Sequence, residues 1–320
     1  MKQVMEYIVE TDNLTKDYEV GFWKKRKVRA VDGLSLRIKS GLIFGFLGGN
    51  GAGKTTTIKM LMNLLFPTMG SARILGADIA DKEMHSRIGY CPENPYFYDY
   101  LTARELMDYF GLLFGIEADR RKTRTEELLA RVGLAEKDWD KQLRKFSKGM
   151  LQRVGIAQAL INKPEIVFFD EPMSGLDPVG RREIRELIGE LRMHGTTVFM
   201  STHILADVEA LCDEVAILRG GRLAATGHLN ELLSADDGHR AFEITITGTD
   251  YGLLSAEIAK IGGALAAKRA GGTIIEIADE ADIDRVIAAA RIVGGRIVSV
   301  TPIKQSLEDL FMAVGGDESG

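Results

Sequence analysis

Gly48-Gly49-Asn50-Gly51-Ala52-Gly53-Lys54-Thr55-Thr56 is the stretch that decides the fold. Gly48, Gly53, Lys54 and Thr55 satisfy G-x-x-x-x-G-K-[ST], a loop built to cradle phosphate. Its glycines leave room for the backbone to wrap around an oxygen-rich anion with its N–H groups pointing inward. The apolar run Leu42 to Leu47 before it reads as a strand. The run Thr55 to Leu65 after it reads as a helix, with Ile58, Leu61, Met62 and Leu65 on one face. The positive end of that helix dipole would face the anion. Lys54 would reach β- and γ-phosphates, and the Thr55 hydroxyl would ligate Mg²⁺. The alternative, a chance glycine-rich turn, does not explain the strand before and the helix after.

With 320 residues the chain is long enough for two domains, and 45% hydrophobic and 27% charged residues are ordinary for a globular protein. A formal charge of −5 argues against a general nucleic-acid binder, so no nucleic-acid partner is expected. Cys91 and Cys212 can form neither a disulfide framework nor a zinc site by themselves, which fits a reducing cytosol. Met1 to Glu10 carries acidic residues and no apolar core, so no signal peptide is expected. No run approaches the roughly 18 apolar residues of a membrane span. Any crossing of a bilayer is expected of another polypeptide.

From Tyr7 to about Leu233 strand-like and helix-like segments alternate, an α/β layer pattern. Ile166–Phe169 and Thr197–Met200 are short apolar runs suited to a sheet buried on both faces. Between them and the phosphate loop lies a helical insert over about 95–163. It is entered by a capping box, Thr102-Ala-Arg-Glu105, before a helix around Leu106 to Phe114. The polar break Ser234 to Gly238 reads as a domain boundary, which gives domains 1–234 and 240–316. Beyond it, strands near Phe242–Ile246, Ala264–Arg269, Thr273–Ile277 and Arg296–Val300 alternate with helices near Leu254–Ile261 and Ile283–Ala290. That order, βαββαβ, is ferredoxin-like. A last helix is predicted at a second capping box, Ser306-Leu-Glu-Asp309.

Phe168-Phe169-Asp170-Glu171-Pro172 places two carboxylates at the C-terminal end of a buried strand, where α/β sheets bind ligands. Asp170 would hold Mg²⁺ directly or through water, and Glu171 would polarise an attacking water. A solvated pair of acids is the alternative, and it leaves the phosphate loop unexplained. His203, in Ser-Thr-His after another strand, would hydrogen-bond a γ-phosphate; a purely structural role is its alternative.

With these residues the chain resembles the ATP-binding subunits of ABC transporters over nearly its whole length. The family's signature sequence stands as Phe146-Ser147-Lys148-Gly149-Met150, running into Leu151-Gln152-Arg153, and its D-loop as Ser174-Gly-Leu-Asp177. The resemblance implies a P-loop ATPase cassette with a mixed sheet core and helical subdomain. It also implies ATP and Mg²⁺ as ligands, and Tyr18 as the ring that stacks on adenine. Ser147 and Gly149 would face the γ-phosphate held by a partner subunit, anion binding by a helix N-terminus supplied in trans. Asp177 would lie at the dimer seam.

Two departures from the pattern stand out. Glu93, in Tyr90-Cys-Pro-Glu93, occupies the place of the family's glutamine; a carboxylate contacts Mg²⁺ or water but does not donate as an amide does. Lys148 replaces a glycine and would either lie near a partner's phosphates or point to solvent. Both variants, and a C-terminal segment ending Leu307-Glu-Asp-Leu-Phe311, resemble the bacterial export-type branch. That branch implies a second ATPase subunit forming a homodimer, integral-membrane permease subunits, and a peripheral position on the cytoplasmic face of the bacterial inner membrane. The alternatives are an importer ATPase with a ligand-sensing C-terminal domain, or a non-transport ABC ATPase. The latter is disfavoured because the stretch from Lys54 to Ser147 shows no sustained heptads. The basic turn Trp23 to Lys27 with Arg29 reads as a solvated loop or a lipid contact, and Phe22 or Trp23 competes with Tyr18 for adenine. The aromatic run Pro95 to Tyr100 suits either packing inside the insert or docking of a permease helix.

Overall fold

The computed structural model describes residues 6–21, 25–234, 241–269, 271–302 and 307–308. The chain divides into two units, Met1–Leu229 and Asn230–Gly320. The first begins with β1 (Tyr7–Val20), β2 (Arg26–Lys39), β3 (Ile43–Gly48), α1 (Lys54–Leu61), β4 (Met69–Ile74), β5 (Ala77–Asp78), α2 (Lys82–His85) and β6 (Ile88–Cys91). The helical insert follows, with α3 (Ala103–Leu113), α4 (Ala118–Arg131) and α5 (Lys148–Ala159). It leads to β7 (Ile166–Asp170), α6 (Pro178–Met193), β8 (Thr197–Thr202), α7 (Leu205–Leu211), β9 (Glu214–Arg219) and β10 (Arg222–His228). At the boundary lies α8 (Leu229–Ser234).

Two sheets share this unit. One has the order β10-β9-β3-β8-β7-β6, parallel from β9 to β6 with β10 antiparallel at the edge. Every residue of β3, β7 and β8 is buried, as a sheet covered on both faces requires. Phe199 sits at its centre, its ring centroid 5.5, 5.2 and 5.1 Å from those of Phe44, Phe46 and Phe168. Each such ring contributes about 1.5–3 kcal/mol by leaving water. The second sheet, β2-β1-β4-β5, is wholly antiparallel. It buries alternate residues (Leu34, Leu36 and Ile38 on β2), which join Ile58 and Met60 of α1 in one core.

Against the expected helix Thr55–Leu65, α1 ends at Leu61 because Asn63 takes a left-handed φ of 53°. Ile58, Leu61 and Met62 are buried as the periodicity requires, and Leu65 is half-buried. The capping box at Thr102 forms in both directions. Thr102 Oγ1 accepts from the Glu105 N–H at 3.1 Å, and a Glu105 carboxylate oxygen accepts from the Thr102 N–H at 2.8 Å. Phe22, Trp23 and Lys24 lie outside the described residues. Beside them, Arg29 bridges Asp17 and Asp32, each at 2.8 Å, and Lys25 pairs with Glu19. The Arg29 guanidinium holds the Asp17 carboxyl below the usual carboxylate range. Both cysteines are free and buried, and burial pushes their thiols far above the usual range, so neither is reactive.

The second unit carries β11 (Phe242–Thr247), α9 (Tyr251–Ile258), β12 (Leu265–Arg269), β13 (Gly272–Ile277), α10 (Ile283–Ile292) and β14 (Arg296–Pro302). Its sheet runs β12-β13-β11-β14, antiparallel throughout, the strand order of a ferredoxin-like fold. Ile244, Ile246, Ile275 and Ile277 pack in one core with Leu254, Ile258, Val286 and Ala290 of the two helices. Ser306 and Asp309, the capping residues expected for a last helix, lie outside the described residues, as does Phe311.

Candidate active site

β8 lies between β3 and β7, and all three run parallel. The register sets Leu47 beside Thr202 and Asp170 beside Ser201. The phosphate loop, the Asp170-Glu171 pair and His203 therefore leave the sheet from the same edge, the place where parallel α/β sheets build sites.

The loop itself is pinned by Gly53. This residue N-caps α1 with φ of 103°, and a Cβ there would stand 2.5 Å from the Ala30 carbonyl oxygen. Only glycine meets both demands. Lys54 is buried; its ammonium donates to the carbonyls of Gly48 at 2.6 Å and Gly49 at 3.3 Å, and lies 3.6 Å from Glu171 Oε1. Gly49, Asn50, Gly51, Ala52, Gly53, Lys54, Thr55 and Thr56 line a cavity of about 370 Å³, joined by Ala30, Glu93, Glu171, Ser174 and His203. All of the predicted phosphate-loop residues but Gly48 thus share one cavity with Glu93, Glu171 and His203. A larger cavity of about 710 Å³, lined among others by Phe114, Arg120 and Arg124, lies on the helical insert and shares no residue with the loop. Volume does not mark the chemistry here.

Glu171 has a left-handed φ of 51° immediately before a proline, a backbone state costing on the order of 1–3 kcal/mol. It persists because the Glu171 N–H donates to Ser201, at 3.1 Å to the carbonyl and 3.2 Å to the hydroxyl. The sharp turn aims a buried carboxylate at the loop. His203 Nδ1 stands 2.9 Å from Glu171 Oε1. A carboxylate only accepts, so Nδ1 carries the proton and Nε2 is left for another partner. Asp170 is buried; one carboxylate oxygen takes the Ser201 hydroxyl, and the other, Oδ2, has no hydrogen-bond partner.

Tyr18, Gly48, Ser147, Gly149, Asp170 and Asp177 do not line this cavity. Tyr18 is half-buried on β1, with Lys16 Nζ 5.5 Å from its ring centroid. Exposed Ser147 N-caps α5, its hydroxyl accepting from the Met150 N–H at 3.2 Å. Asp177 N-caps α6, accepting from the Gly180 N–H at 2.8 Å. Lys148 is exposed, and its ammonium donates to Ser174 Oγ at 3.1 Å.

Ala30 and Ser174 line the cavity unforeseen, and Asp207 was missed altogether. Asp207 is 3% exposed and lines a second cavity of about 180 Å³ with Glu171, His203 and Arg181. One oxygen faces Arg185 at 3.6 Å, and Oδ2 has no hydrogen-bond partner. Burial pushes its carboxyl above the usual range, against the pull of Arg185 and Arg181. In sequence it reads only as an acid in the first turn of a helix.

Residues 31–174 match the family model described as ABC transporter. An ABC transporter ATP-binding protein of Synechocystis sp. is 44% identical over 306 residues, 95% of this chain and 84% of that protein. The bacitracin transport ATP-binding protein BcrA of Bacillus licheniformis is 44% identical over 222 residues, 68% of this chain and 69% of its own. Among solved structures, the dimeric post-hydrolysis state of the ATP-binding cassette MJ0796, bound to ADP and Pi, is similar with a TM-score of 0.64. It shares 27% identity and covers 69% of this chain and 98% of its own. Fold and site together define an ATP-hydrolysing P-loop ATPase of the cassette type. The chain belongs to the ATP-binding proteins of ABC transporters.

Proposed function

We propose that this chain is the motor subunit of an exporter, in which two copies close face to face over two ATP molecules. Each nucleotide is held between the phosphate loop of one copy and the Ser147–Gly149 helix terminus of the other. The observation that carries this reading is the division of the site residues. Lys54, Thr55, Glu93, Glu171 and His203 share one cavity, whereas the capped N-terminus of α5 contributes nothing to it. A helix terminus with exposed N–H groups binds anions, so it completes the site of another copy.

Within that site Lys54 exchanges its loop carbonyls for phosphate oxygens. Glu171 accepts a hydrogen bond from the attacking water and orients it. His203, fixed by its Nδ1 contact with Glu171, presents Nε2 to the γ-phosphate. Tyr18 stacks on adenine from β1, and Asp177 sits at the seam. Catalysis of this kind is positioning and electrostatics, and loss of the γ-phosphate removes what bridges the two copies.

The unpartnered, buried Oδ2 of Asp170 fits a Mg²⁺ ligand; Asp170, Thr55 and Glu93 would hold the ion. Among the described residues no group of three or more His, Cys, Asp or Glu side chains is placed to hold a metal alone. Such a donor set suits an ion that keeps phosphate oxygens and water among its ligands. When bound, Mg²⁺ supplies neutralisation of the β- and γ-phosphate charge.

Among the described residues no helix is long and apolar enough to cross a membrane. The proposed crossing partner is a permease, with this chain peripheral on the cytoplasmic face of the bacterial inner membrane. Its docking site is the apolar groove of about 350 Å³ lined by Leu64, Pro95, Tyr96, Phe97, Phe110 and Phe114. Residues 1–234 form the ATPase domain and 240–316 an accessory domain of the export-type branch. The likeness to bacitracin transport proteins supports export.

Complementation tests the shared site. A Ser147→Arg chain mixed with a Lys54→Ala chain rebuilds one complete site per mixed dimer, and ATP-dependent association returns only in the mixture. Equal behaviour of the mixture and the separate variants contradicts the reading.

A further inference from the structure

Lys148 is the first residue of α5, and no acidic residue balances it in that turn. A cation at a helix N-terminus opposes the dipole, so the helix itself gives no reason for lysine here. The reason lies in the loop between β7 and α6. Lys148 Nζ donates to Ser174 Oγ at 3.1 Å, and its aliphatic stem lies along Gly175. A Cβ at Gly175 would stand 2.9 Å from both Cγ and Cδ of Lys148, and Gly175 has φ of 75°. Beside it, a Cβ at Gly149 would stand 2.9 Å from the Gly175 carbonyl oxygen and 3.3 Å from Leu176 Cδ2. Two glycines therefore let the start of α5 lie directly on this loop, and the lysine closes the contact. The loop leads straight back to the chemistry: Ser174 donates its N–H to the Glu171 carbonyl at 3.0 Å and lines the phosphate cavity.

We propose that Lys148 is a positioning residue that ties the α5 terminus, which serves a partner's nucleotide, to Ser174 behind this chain's own Glu171. The inference rests on the shared-site reading above. One chain then carries both ends of the link. When its phosphate cavity changes on hydrolysis, the displacement of Ser174 reaches Ser147 and Gly149, and through them the other nucleotide. Lys148 is exposed, so removing its charge leaves the core intact.

The test is steady-state ATP hydrolysis by the full-length protein as wild type, Lys148→Met, Ser174→Ala and the double variant. Methionine keeps the stem over Gly175 and removes the donor. Each single change lowers kcat about three- to tenfold with KM unchanged, and the double variant is no slower than the slower single one. Lys148→Arg restores most of the rate. Additive losses, no loss, or a raised KM for Lys148→Met alone overturn the link; the last would mean that Lys148 touches phosphate. The shared-site reading is scored separately by the ATP-dependent mass of the Glu171→Gln chain. Dimerisation there with an additive cycle here rejects only the tether; no dimerisation there removes the ground beneath both.

Discussion

His203 Nδ1 and Glu171 Oε1 stand 2.9 Å apart, and Lys54 Nζ approaches the same carboxylate oxygen at 3.6 Å. The carboxylate is buried between two donors, while the histidine ring is half in solvent, 53% exposed on its side chain. The pair is thus anchored at Glu171 and open at His203, which leaves Nε2 for the γ-phosphate contact proposed above. Replacing His203 by alanine removes that contact and the lock on Glu171. Hydrolysis falls about 10²- to 10³-fold, with ATP affinity within a few-fold of wild type. Turnover and equilibrium binding measured on the same preparation check this, and a near-normal kcat contradicts it.

Lys54 has a different task. Its ammonium is held by two loop carbonyls and lies near Glu171, which directs the lysine into the loop. Lys54→Ala weakens ATP binding about 10- to 100-fold, the worth of a charge-assisted hydrogen bond lost from a phosphate. Titration of a fluorescent ATP analogue reads this directly; unchanged affinity excludes the lysine as a phosphate ligand.

The seat of β6 against the end of α5 depends on a missing side chain. A Cβ at Gly89 would lie 2.0 Å from the Ala159 carbonyl oxygen and 3.2 Å from Pro164 Cγ. Gly89→Ala therefore forces backbone apart and costs about 1–3 kcal/mol. Gly189, inside α6, has nothing within 4 Å of an added Cβ. Gly189→Ala gains about 0.5–1 kcal/mol from the unfolded chain's lost freedom. Denaturant midpoints of the two variants move in opposite directions; a shift of the same sign in both refutes the geometric argument.

Asp207 links stability to pH. Its folded-state pKa is raised by burial above the ordinary 3.8, so the native state disfavours the charged form. The stability this group contributes is whole below the unfolded pKa and is lost as pH rises through the folded value. Asp207→Asn does not titrate. It melts higher than wild type at pH 7, and the gap closes as pH falls toward the ordinary carboxylate value. A variant that melts lower at pH 7 shows instead that the ion pair with Arg185 outweighs burial.

How far the sequence carried the fold depended on how local each signal was. The phosphate loop is a chemical pattern within nine residues of chain, Gly48 to Thr56, and the strand ends at Asp170 and His203 follow from short apolar runs. Register of the parallel sheet then brought these together without further information. The antiparallel sheet of β1, β2, β4 and β5 is not distinguished from a general α/β alternation, because β1 buries its residues irregularly, with register shifts against β2, and its pairing with β4 is long-range. The early stop of α1 depends on the backbone state of one residue, Asn63, that composition does not reveal. Asp207 was illegible for the same reason, and Lys148, visible as a departure from the pattern, did not reveal its partner: Ser174, Arg185 and a cavity assembled from other elements set their surroundings.

The central claim is that ATP joins two copies of this chain until Glu171 lets it be hydrolysed. Glu171→Gln keeps the shape of the side chain and removes its charge. The decisive measurement is the solution mass of that variant by light scattering, with and without ATP and Mg²⁺. The account predicts a shift from the 35.2 kDa monomer to twice that mass with ATP, reversed when ADP replaces it. A variant that stays at monomer mass with saturating ATP, alone and with its permease, contradicts the account.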